Sequence, residues 1–210
     1  MPKKYRITII LGLALALIWG YSAAVNRDVS PDKLPLKETR TYCGQKSLNT
    51  DYIVFVDFSR SSGSDRFIIY DNKEGKIVKS GICLHGSGKG NTREQPVFSN
   101  VPGSNCSSLG HYRITAKSKI NLQSSTGLPI TAKCLRLEGL DSSNSNAAAR
   151  GITVHIAFSA TVCQALNIRP KYMPLSPESE GCFAISNSCY DYLEKLIDNG
   201  NKNICIYAYN

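Results

Sequence analysis

Short runs of β-branched and aromatic residues, separated by polar turns, recur along the chain from residue 52 onwards. The runs that predict strands are 52–58, 66–70, 77–84, 111–115, 134–137, 152–156 and 204–209. Clusters of Gly, Ser, Asn and Asp stand between many of them and are typical of turns. Short apolar runs at this spacing indicate an all-β or mainly β architecture.

One segment near the end of the chain has the spacing of an amphipathic helix. Its apolar residues fall on one face: Cys189, Tyr192, Leu193, Leu196 and Ile197. Ser188 with Asp191 resembles a capping box, and Asn199-Gly200 ends the pattern. We therefore predict one short C-terminal helix, about 189–198, that packs on the β structure.

Two long stretches show neither pattern. Residues 85–108 are rich in Gly, Ser and Asn, and residues 159–177 carry three prolines. Gly86-Ser87-Gly88-Lys89-Gly90 fails the phosphate-binding loop pattern, because Gly90 follows the lysine where Ser or Thr is needed. We predict that both stretches are loops, and loops of this length are usually functional or disordered.

The first 24 residues have the layout of an export signal. Three basic residues precede an uncharged apolar run, 7–20, and Ser22-Ala23-Ala24 supplies small residues that a signal peptidase accepts. The alternative is an uncleaved anchor, since 7–25 spans nineteen residues and about 20 cross a bilayer as a helix. In both cases we expect the domain in the periplasm or cell envelope.

Residues 25–50 follow the apolar run and show little periodicity. They carry Pro31, Pro35 and scattered charges, so we interpret them as a linker between the membrane and the domain. The predicted organisation is then a signal peptide or anchor over 1–24, a linker over 25–50 and a folded domain over 51–210.

The formal net charge of +9 changes this picture little. Removing the three basic residues of the signal leaves 22 basic against 16 acidic residues, near +6, spread along the chain. There is no basic run with interleaved aromatics, so we predict no nucleic-acid binding. A mild positive field suits an anionic polymer such as cell wall, or lipid head groups.

Eight cysteines in an exported chain favour disulfides, because that compartment is oxidising. They are Cys43, Cys83, Cys106, Cys134, Cys163, Cys182, Cys189 and Cys205. If Cys182 stays a thiol, at most three bridges can form among the other seven. The chain has no Cys-x-x-Cys pair and three histidines, so a structural zinc site is not predicted.

Cys182 is the candidate nucleophile. It follows Gly181, which leaves room beside the thiol for a substrate carbonyl. A reactive thiolate needs a base or cationic partner, and imidazole is the usual one. The alternative is a buried or disulfide-bonded cysteine, the commoner fate in such a chain. His155 ends an apolar run, but spacing alone does not choose among His85, His111 and His155.

Eight short motifs occur in order along the part of the chain from about residue 52 to 209. They are Val56-Asp57-Phe58-Ser59, Leu84-His85-Gly86-Ser87-Gly88, Phe98-Ser99-Asn100 with Gly103-Ser104, Ser107-Ser108-Leu109-Gly110, Leu135-Arg136-Leu137-Glu138-Gly139-Leu140, Asn144 with Asn146, Arg150-Gly151-Ile152-Thr153-Val154-His155 and Ser179-Glu180-Gly181-Cys182. In this order they resemble the catalytic domain of the murein L,D-transpeptidase family.

The resemblance implies a mainly β fold, a mixed sandwich or barrel-like structure whose strands enclose a groove that presents the cysteine. It implies Cys182 as nucleophile and His155 as the histidine that activates it. Cys182 would attack the carbonyl before a terminal D-residue of a peptidoglycan stem peptide, release D-alanine and leave a thioester. An amine of a second stem peptide would take the acyl group and form a 3–3 cross-link. No metal or organic cofactor is implied, and carbapenems would acylate the same thiol.

Further site residues follow from the same motifs, each with a structural alternative. Ser179 and Gly181 shape an oxyanion site or only make the turn. Arg150 binds a stem-peptide carboxylate or forms a structural salt bridge. His85 contacts substrate or holds its loop. Glu180 departs from the family, which often has His or Trp there, and a nearby carboxylate would raise the pKa of the cysteine.

Two other functions stay open at this point. An L,D-carboxypeptidase would resolve the same thioester with water, and an inactive cell-wall-binding domain would hold Cys182 in a disulfide. Peptidoglycan stem peptides are the expected partners in the enzymatic cases. We also expect a monomer, and a membrane tether through residues 7–25 if the signal is not cleaved.

Overall fold

The structure is a computed structural model that describes residues 29–123, 129–166 and 179–210 of the 210-residue chain. Within these ranges nine strands form one mixed sheet: β1 (Tyr52–Asp57), β2 (Phe67–Asp71), β3 (Lys76–Gly81), β4 (Cys83–Leu84), β5 (Gly110–Gln123), β6 (Pro129–Gly139), β7 (Thr153–Ile156), β8 (Phe183–Ile185) and β9 (Cys205–Tyr209). The helices are α1 (Leu36–Gln45), α2 (Phe158–Ala165) and α3 (Asn187–Asp198), and Pro31–Lys33 forms a 3₁₀ turn. The predicted mainly β fold with a C-terminal helix is confirmed.

The order of the strands requires the sheet to curl. From edge to edge the order is β3-β2-β1-β9-β5-β6-β7-β8-β4, with β1–β9 and β7–β8 parallel and the other pairs antiparallel. β3 and β4 lie at opposite edges, yet only Ile82 separates them along the chain. Since neighbouring Cα atoms are about 3.8 Å apart, the two edges of the sheet must approach each other.

Alternate residues of the first strand enter two different cores. Val54 and Val56 pack in a large core with the apolar face of α3, whereas Ile53 and Phe55 pack in a second core with residues around α1. Side chains of a strand alternate between the two faces of the sheet. Because both faces are covered here, the strand is a continuous apolar run rather than an alternating one.

Helix α1 lies inside the segment that the sequence predicts as a linker, and for this stretch the prediction was wrong. Leu34, Cys43 and Leu48 are buried in the second core. The Tyr42 ring stacks on His111 with 3.7 Å between ring centroids. The pattern misses α1 because its buried residues are Thr39 and Cys43, which do not form an apolar stripe.

The predicted membrane-proximal segment, 7–25, lies outside the described residues. Among the residues that the structure describes, no helix is long and apolar enough to cross a membrane. The start of the predicted linker, 25–28, also lies outside the described part of the chain.

Helix α3 confirms the amphipathic pattern but begins earlier than predicted. Its N-cap is Ser186 rather than Ser188, and Ser186 makes no side-chain capping bond. Asn187 instead donates to the Asp191 carboxylate over 2.7 Å. The buried face of the helix carries Cys189, Tyr190, Leu193 and Leu196.

Other elements differ from the sequence prediction more strongly. Helix α2 occupies the start of the stretch 159–177, so the prediction of a loop was wrong up to Ala165, and 167–178 lies outside the described residues. Of the eight residues of α2, one, Ala160, is buried, so its sequence shows no clear helical period. The short strand β8 was not predicted. β5 and β6 extend well beyond the predicted runs. The sequence pattern missed their outer parts because these are largely polar and exposed.

Candidate active site

Two adjacent parallel strands bring Cys182 and His155 to one face of the sheet. In β7 and β8, Val154 lies beside Phe183 and His155 lies beside Ala184. Cys182 is the residue immediately before β8, so it lies beside Thr153, and the Thr153 hydroxyl is 3.5 Å from the Cys182 sulfur. Because side chains alternate along a strand, His155 shares this face with Thr153.

The hydrogen bonding of His155 leaves one ring nitrogen available as a base. Its Nδ1 lies 3.2 Å from the backbone carbonyl of Ile156. A carbonyl can only accept, so Nδ1 carries the proton and the neutral ring keeps its lone pair on Nε2. Burial lowers the pKa of His155, and the bond to Ile156 opposes this only in part. The imidazole is therefore neutral near pH 7.

The surroundings of Cys182 favour the thiol over the thiolate. Burial raises the pKa of Cys182, hydrogen bonds from Thr153 lower it, the Glu180 carboxylate raises it and Arg150 lowers it, with a net increase. The sulfur also lies 3.8 Å from the Gly151 carbonyl oxygen. Among the described residues its hydrogen-bond contacts are with Thr153 and Gly151, and none is with His155.

Ser179 is the first residue of the turn before Cys182, and its side chain closes that turn. Ser179 Oγ donates to the Cys182 carbonyl over 2.7 Å, and the Ser179 carbonyl accepts from the amide of Ser87 over 2.7 Å. The buried Ser179 side chain is thus used inside the turn. These bonds pin the start of the long loop 85–108 against the segment that carries the candidate nucleophile.

Gly181 is required by its backbone conformation and by close packing. Its φ is +108°, a region that favours glycine, and a Cβ atom there would lie 2.7 Å from the Cys106 carbonyl oxygen and 2.9 Å from Nη2 of Arg150. The space where a side chain of residue 181 would lie is thus filled by protein and does not provide the predicted room for a substrate carbonyl. An oxyanion role for the turn stays a prediction.

Arg150 acts as a clamp on the loop 85–108. Its Nη1 donates to the Ser99 carbonyl over 2.8 Å and lies 3.5 Å from the Ser108 hydroxyl. Its Nη2 donates to the Cys106 carbonyl over 2.5 Å and lies 3.4 Å from Ser104 Oγ. These partners are carbonyl and hydroxyl oxygens rather than a carboxylate, and they occupy the fork that a substrate would need.

The other two histidines serve different parts of the fold. His85 is buried between Arg66, which donates to its Nδ1 over 2.9 Å, and the Thr92 carbonyl, which accepts from Nε2 over 2.9 Å. Burial lowers the pKa of His85 to about 4. This geometry holds the loop and offers no ring nitrogen to a substrate. His111 stacks between Tyr42 and Tyr207.

Comparison with known protein families identifies the family of the chain. A family model described as the L,D-transpeptidase catalytic domain matches residues 26–209. The chain belongs to the L,D-transpeptidase catalytic domain family. The family resemblance seen in the sequence motifs is thereby confirmed, and it assigns the chain to a group of transferases that act on peptidoglycan. A separate search of curated proteins found no match to the chain.

The family match begins at residue 26, so it includes α1 as part of the L,D-transpeptidase domain. Within the described residues of this domain, no group of three or more His, Cys, Asp and Glu side chains is arranged to hold a metal ion. Cys182 is a thiol in this structure.

Sequence reasoning missed three groups of the candidate site. They are the Thr153 hydroxyl and the carbonyls of Gly151 and Ile156. Thr153 was within reach of prediction, because it stands two positions before His155 in a strand and must share its face. The two carbonyls carry no signal in side-chain identity, so they appear only in the folded structure.

Proposed function

We propose that this domain is an exported cysteine L,D-transpeptidase that acts on peptidoglycan stem peptides through a thioester at Cys182. The observation that carries the proposal is the shared face of β7 and β8, on which Cys182, Thr153 and His155 lie together. Of the three histidines, His155 is the one on this face with a ring nitrogen available as a base.

The first half-reaction transfers the acyl group to sulfur. The thiol rests against Thr153 and Gly151, and hydrogen bonds of this kind commonly rearrange when substrate binds. Nε2 of His155 takes the thiol proton while sulfur bonds to the carbonyl carbon before the terminal D-residue. The carbon–nitrogen bond to that residue then breaks. The imidazolium returns the proton to the leaving amine, which departs as D-alanine.

The second half-reaction restores the enzyme. The amine of a diamino acid on a second stem peptide attacks the thioester, and its proton returns to the sulfur through His155. The product is a 3–3 cross-link. An L,D-carboxypeptidase would use water instead and release a tripeptide. An inactive wall-binding domain with Cys182 in a disulfide would form no thioester.

Intact-mass spectrometry after exposure to meropenem tests the nucleophile. We expect one covalent adduct on the wild-type protein and none on Cys182→Ala. Cys163→Ala is the matched control, since Cys163 is also partly exposed but lies on α2, and it should keep the adduct. An adduct of unchanged yield on Cys182→Ala would refute the assignment.

Muropeptide analysis with a tetrapeptide substrate separates the two enzymatic activities. Cross-linked dimers support transfer to an amine, and tripeptide alone supports hydrolysis. Export is tested separately by determining the N-terminus of the protein recovered from the cell envelope. A start near residue 25 would indicate cleavage after Ser22-Ala23-Ala24, and an intact start would indicate an anchor over 7–25.

A further inference from the structure

A stem-peptide donor brings a carboxylate close to the candidate nucleophile. Arg150, which the sequence predicts to bind this carboxylate, already bonds to oxygens of the loop 85–108. The terminal carboxylate is three bonds from the attacked carbonyl carbon, so the two carbons lie within about 5 Å of each other. The Arg150 guanidinium already donates to Ser99 and Cys106 and lies within hydrogen-bond range of Ser104 and Ser108. Using it for substrate would break the clamp on the loop.

Arg136 lies on the face of the sheet that carries the candidate site. β6 runs antiparallel to β7, with Arg136 opposite Thr153 and Cys134 opposite His155. Directly opposed residues in an antiparallel pair project to the same face, with Cβ atoms about 5 Å apart. Arg136, Thr153 and Cys182 therefore form a row across three neighbouring strands.

The Arg136 guanidinium makes one hydrogen bond within the described residues and has donors left for a ligand. Its side chain is exposed, and Nε donates to the Ser118 hydroxyl over 3.2 Å. Its two terminal nitrogens have no hydrogen-bond or ion-pair partner among the residues that the structure describes. A planar fork with two unused donors matches a carboxylate in bidentate geometry.

The electrostatics of Cys134 agree with this placement. Burial raises the pKa of Cys134, the Arg136 guanidinium lowers it and the Cys182 thiol raises it further. Arg136 and Cys182 thus both lie near enough to Cys134 to act on it through space, and Cys134, which shares the face of Arg136, is fully buried.

The distances allow one ligand to span the row. Two strand spacings, about 10 Å, separate β8 from β6. A donor carbonyl at the Cys182 sulfur places its terminal carboxylate up to about 5 Å away, and an extended arginine side chain covers the remaining distance. Thr153 on the intervening β7 is buried, so the carboxylate would lie between the exposed Arg136 and the partly exposed Cys182.

We propose, resting on the function above, that Arg136 is a positioning residue that binds the terminal carboxylate of the donor stem peptide. The ion pair orients the scissile carbonyl toward Cys182 and selects donors that end in a free carboxylate. The ligand class is thus a peptide with an anionic C-terminus, bound across β6, β7 and β8.

Arg136→Gln tests the proposal with two donors, a tetrapeptide acid and the same peptide as its C-terminal amide. Thioester formation at Cys182 is measured by rapid quench and intact mass. We expect kcat/KM for the acid to fall about 10- to 100-fold, mainly through KM, as for a lost hydrogen-bonded ion pair. The amide should react slowly and equally with both proteins, and Arg136→Lys should recover part of the loss.

Lys133→Gln is the matched control, because it removes a positive charge from the same strand at an exposed position paired with Glu194. It should leave the kcat/KM for the acid unchanged. Alkylation of Cys182 by uncharged iodoacetamide should be equal in Arg136→Gln and wild type, which shows that the fold around the thiol is intact.

Each other result overturns the inference. Equal use of the acid by Arg136→Gln and wild type excludes a carboxylate contact. An equal loss with acid and amide shows a structural role or a contact with a different carboxylate of the donor. If wild-type protein forms no thioester with either peptide, the proposed transpeptidase function itself fails, and the role of Arg136 fails with it.

Discussion

The residues around Cys182 set up a neutral thiol and a neutral imidazole. Burial raises the pKa of Cys182 and lowers the pKa of His155, so each shift disfavours the charged form. Many reactive cysteines instead have a strongly lowered pKa and exist as thiolates. In the proposed mechanism, reactivity therefore depends on proton transfer to His155 during attack, and on the charges that shift the pKa of the thiol.

Glu180→Gln tests the negative charge that raises the pKa of the Cys182 thiol. Removing the carboxylate should lower the pKa of Cys182, since Glu180 raises it. We expect iodoacetamide to alkylate Cys182 faster at pH 7.5 by up to about fivefold, because exposed charge pairs are worth up to about 1 kcal/mol. The rate is measured by peptide mapping as a function of pH.

Glu74→Gln is the control for loss of one negative charge, because Glu74 lies in the β2–β3 turn, paired with Lys76. It should leave the alkylation profile of Cys182 unchanged. A Glu180→Gln profile identical to wild type would show that Glu180 does not act on the thiol.

Gly181→Ala should damage both the fold and the site. The new Cβ would approach the Cys106 carbonyl and Arg150 at a φ of +108°. Backbone strain and overpacking together predict a loss of about 2 to 5 kcal/mol in the free energy of unfolding. The adduct yield with meropenem should fall as well, because the turn that presents Cys182 must shift.

Gly151→Ala separates strain from crowding. Gly151 also has a positive φ, +69°, but a Cβ atom added there would meet no described atom within 4 Å, so the variant tests strain alone. We expect a loss of about 1 kcal/mol from the left-handed conformation, measured by chemical denaturation. Equal losses in the two variants would contradict the packing role of Gly181.

At the scale of elements, the apolar pattern predicted the longer apolar strands and α3, but it did not predict β8 or α1. The runs at 52–58 and 204–209 are strongly apolar, and both became strands. β8 has three residues, too few to show a period. α1 is held by partners distant in sequence, since the Tyr42 hydroxyl donates to Asp141 over 2.7 Å and Cys43 packs with Cys205 in the second core. Such contacts leave no local signal.

Asp141 should make the attachment of α1 sensitive to acid. Burial alone would raise the pKa of Asp141, but bonds from the His111 amide, the Tyr42 hydroxyl and the His111 ring outweigh it and lower the pKa. A carboxylate with a lowered folded-state pKa stabilises the fold above its unfolded pKa of about 4. That stabilisation is lost as the pH falls through the folded-state value.

We expect Asp141→Asn to reduce the difference in unfolding free energy between pH 6 and pH 3 by about 1 kcal/mol, the net worth of a hydrogen bond. Denaturation with urea at both pH values measures it. Tyr42→Phe removes one of the bonds to Asp141 and should reduce the difference by less. A pH difference in Asp141→Asn equal to that of wild type would exclude this role.

At the scale of the whole molecule, the sequence could not reveal how the edges of the sheet meet. Strand patterns carry no information on strand order, and β3 and β4 appear in sequence as one run, 77–84. The structure breaks this run at Ile82 and sends its halves to opposite edges of the sheet. The family motifs identified Cys182 and His155, but their shared face depends on this order.

Arg66 joins these edges from inside. Its backbone amide bonds to the Gly81 carbonyl over 3.0 Å, and its Nε donates to the Cys83 carbonyl over 2.6 Å. Its other nitrogens reach the Arg60 carbonyl and His85, and the side chain is fully buried. The Arg66 backbone thus bonds to the end of β3, and its guanidinium bonds to the start of β4 and to His85 in the loop that abuts the Ser179 turn.

Arg66→Lys should therefore weaken the whole domain while keeping the charge. A lysine ammonium cannot span the three acceptors that the planar fork reaches, so at least two buried groups lose a partner. We expect a loss of about 2 to 4 kcal/mol in unfolding free energy. Arg40→Lys, at an exposed arginine bonded to Asn72, should change it by less than about 0.5 kcal/mol.

The reactivity of Cys182 distinguishes a role of Arg66 in closing the sheet from a role in general packing of the core. The loop that begins at His85 touches the Ser179 turn through the amide of Ser87. If Arg66 holds the two edges together, Arg66→Lys should slow alkylation of Cys182 or broaden its pH profile at temperatures where the protein is still folded. Loss of stability with an unchanged Cys182 profile would instead confine Arg66 to the core.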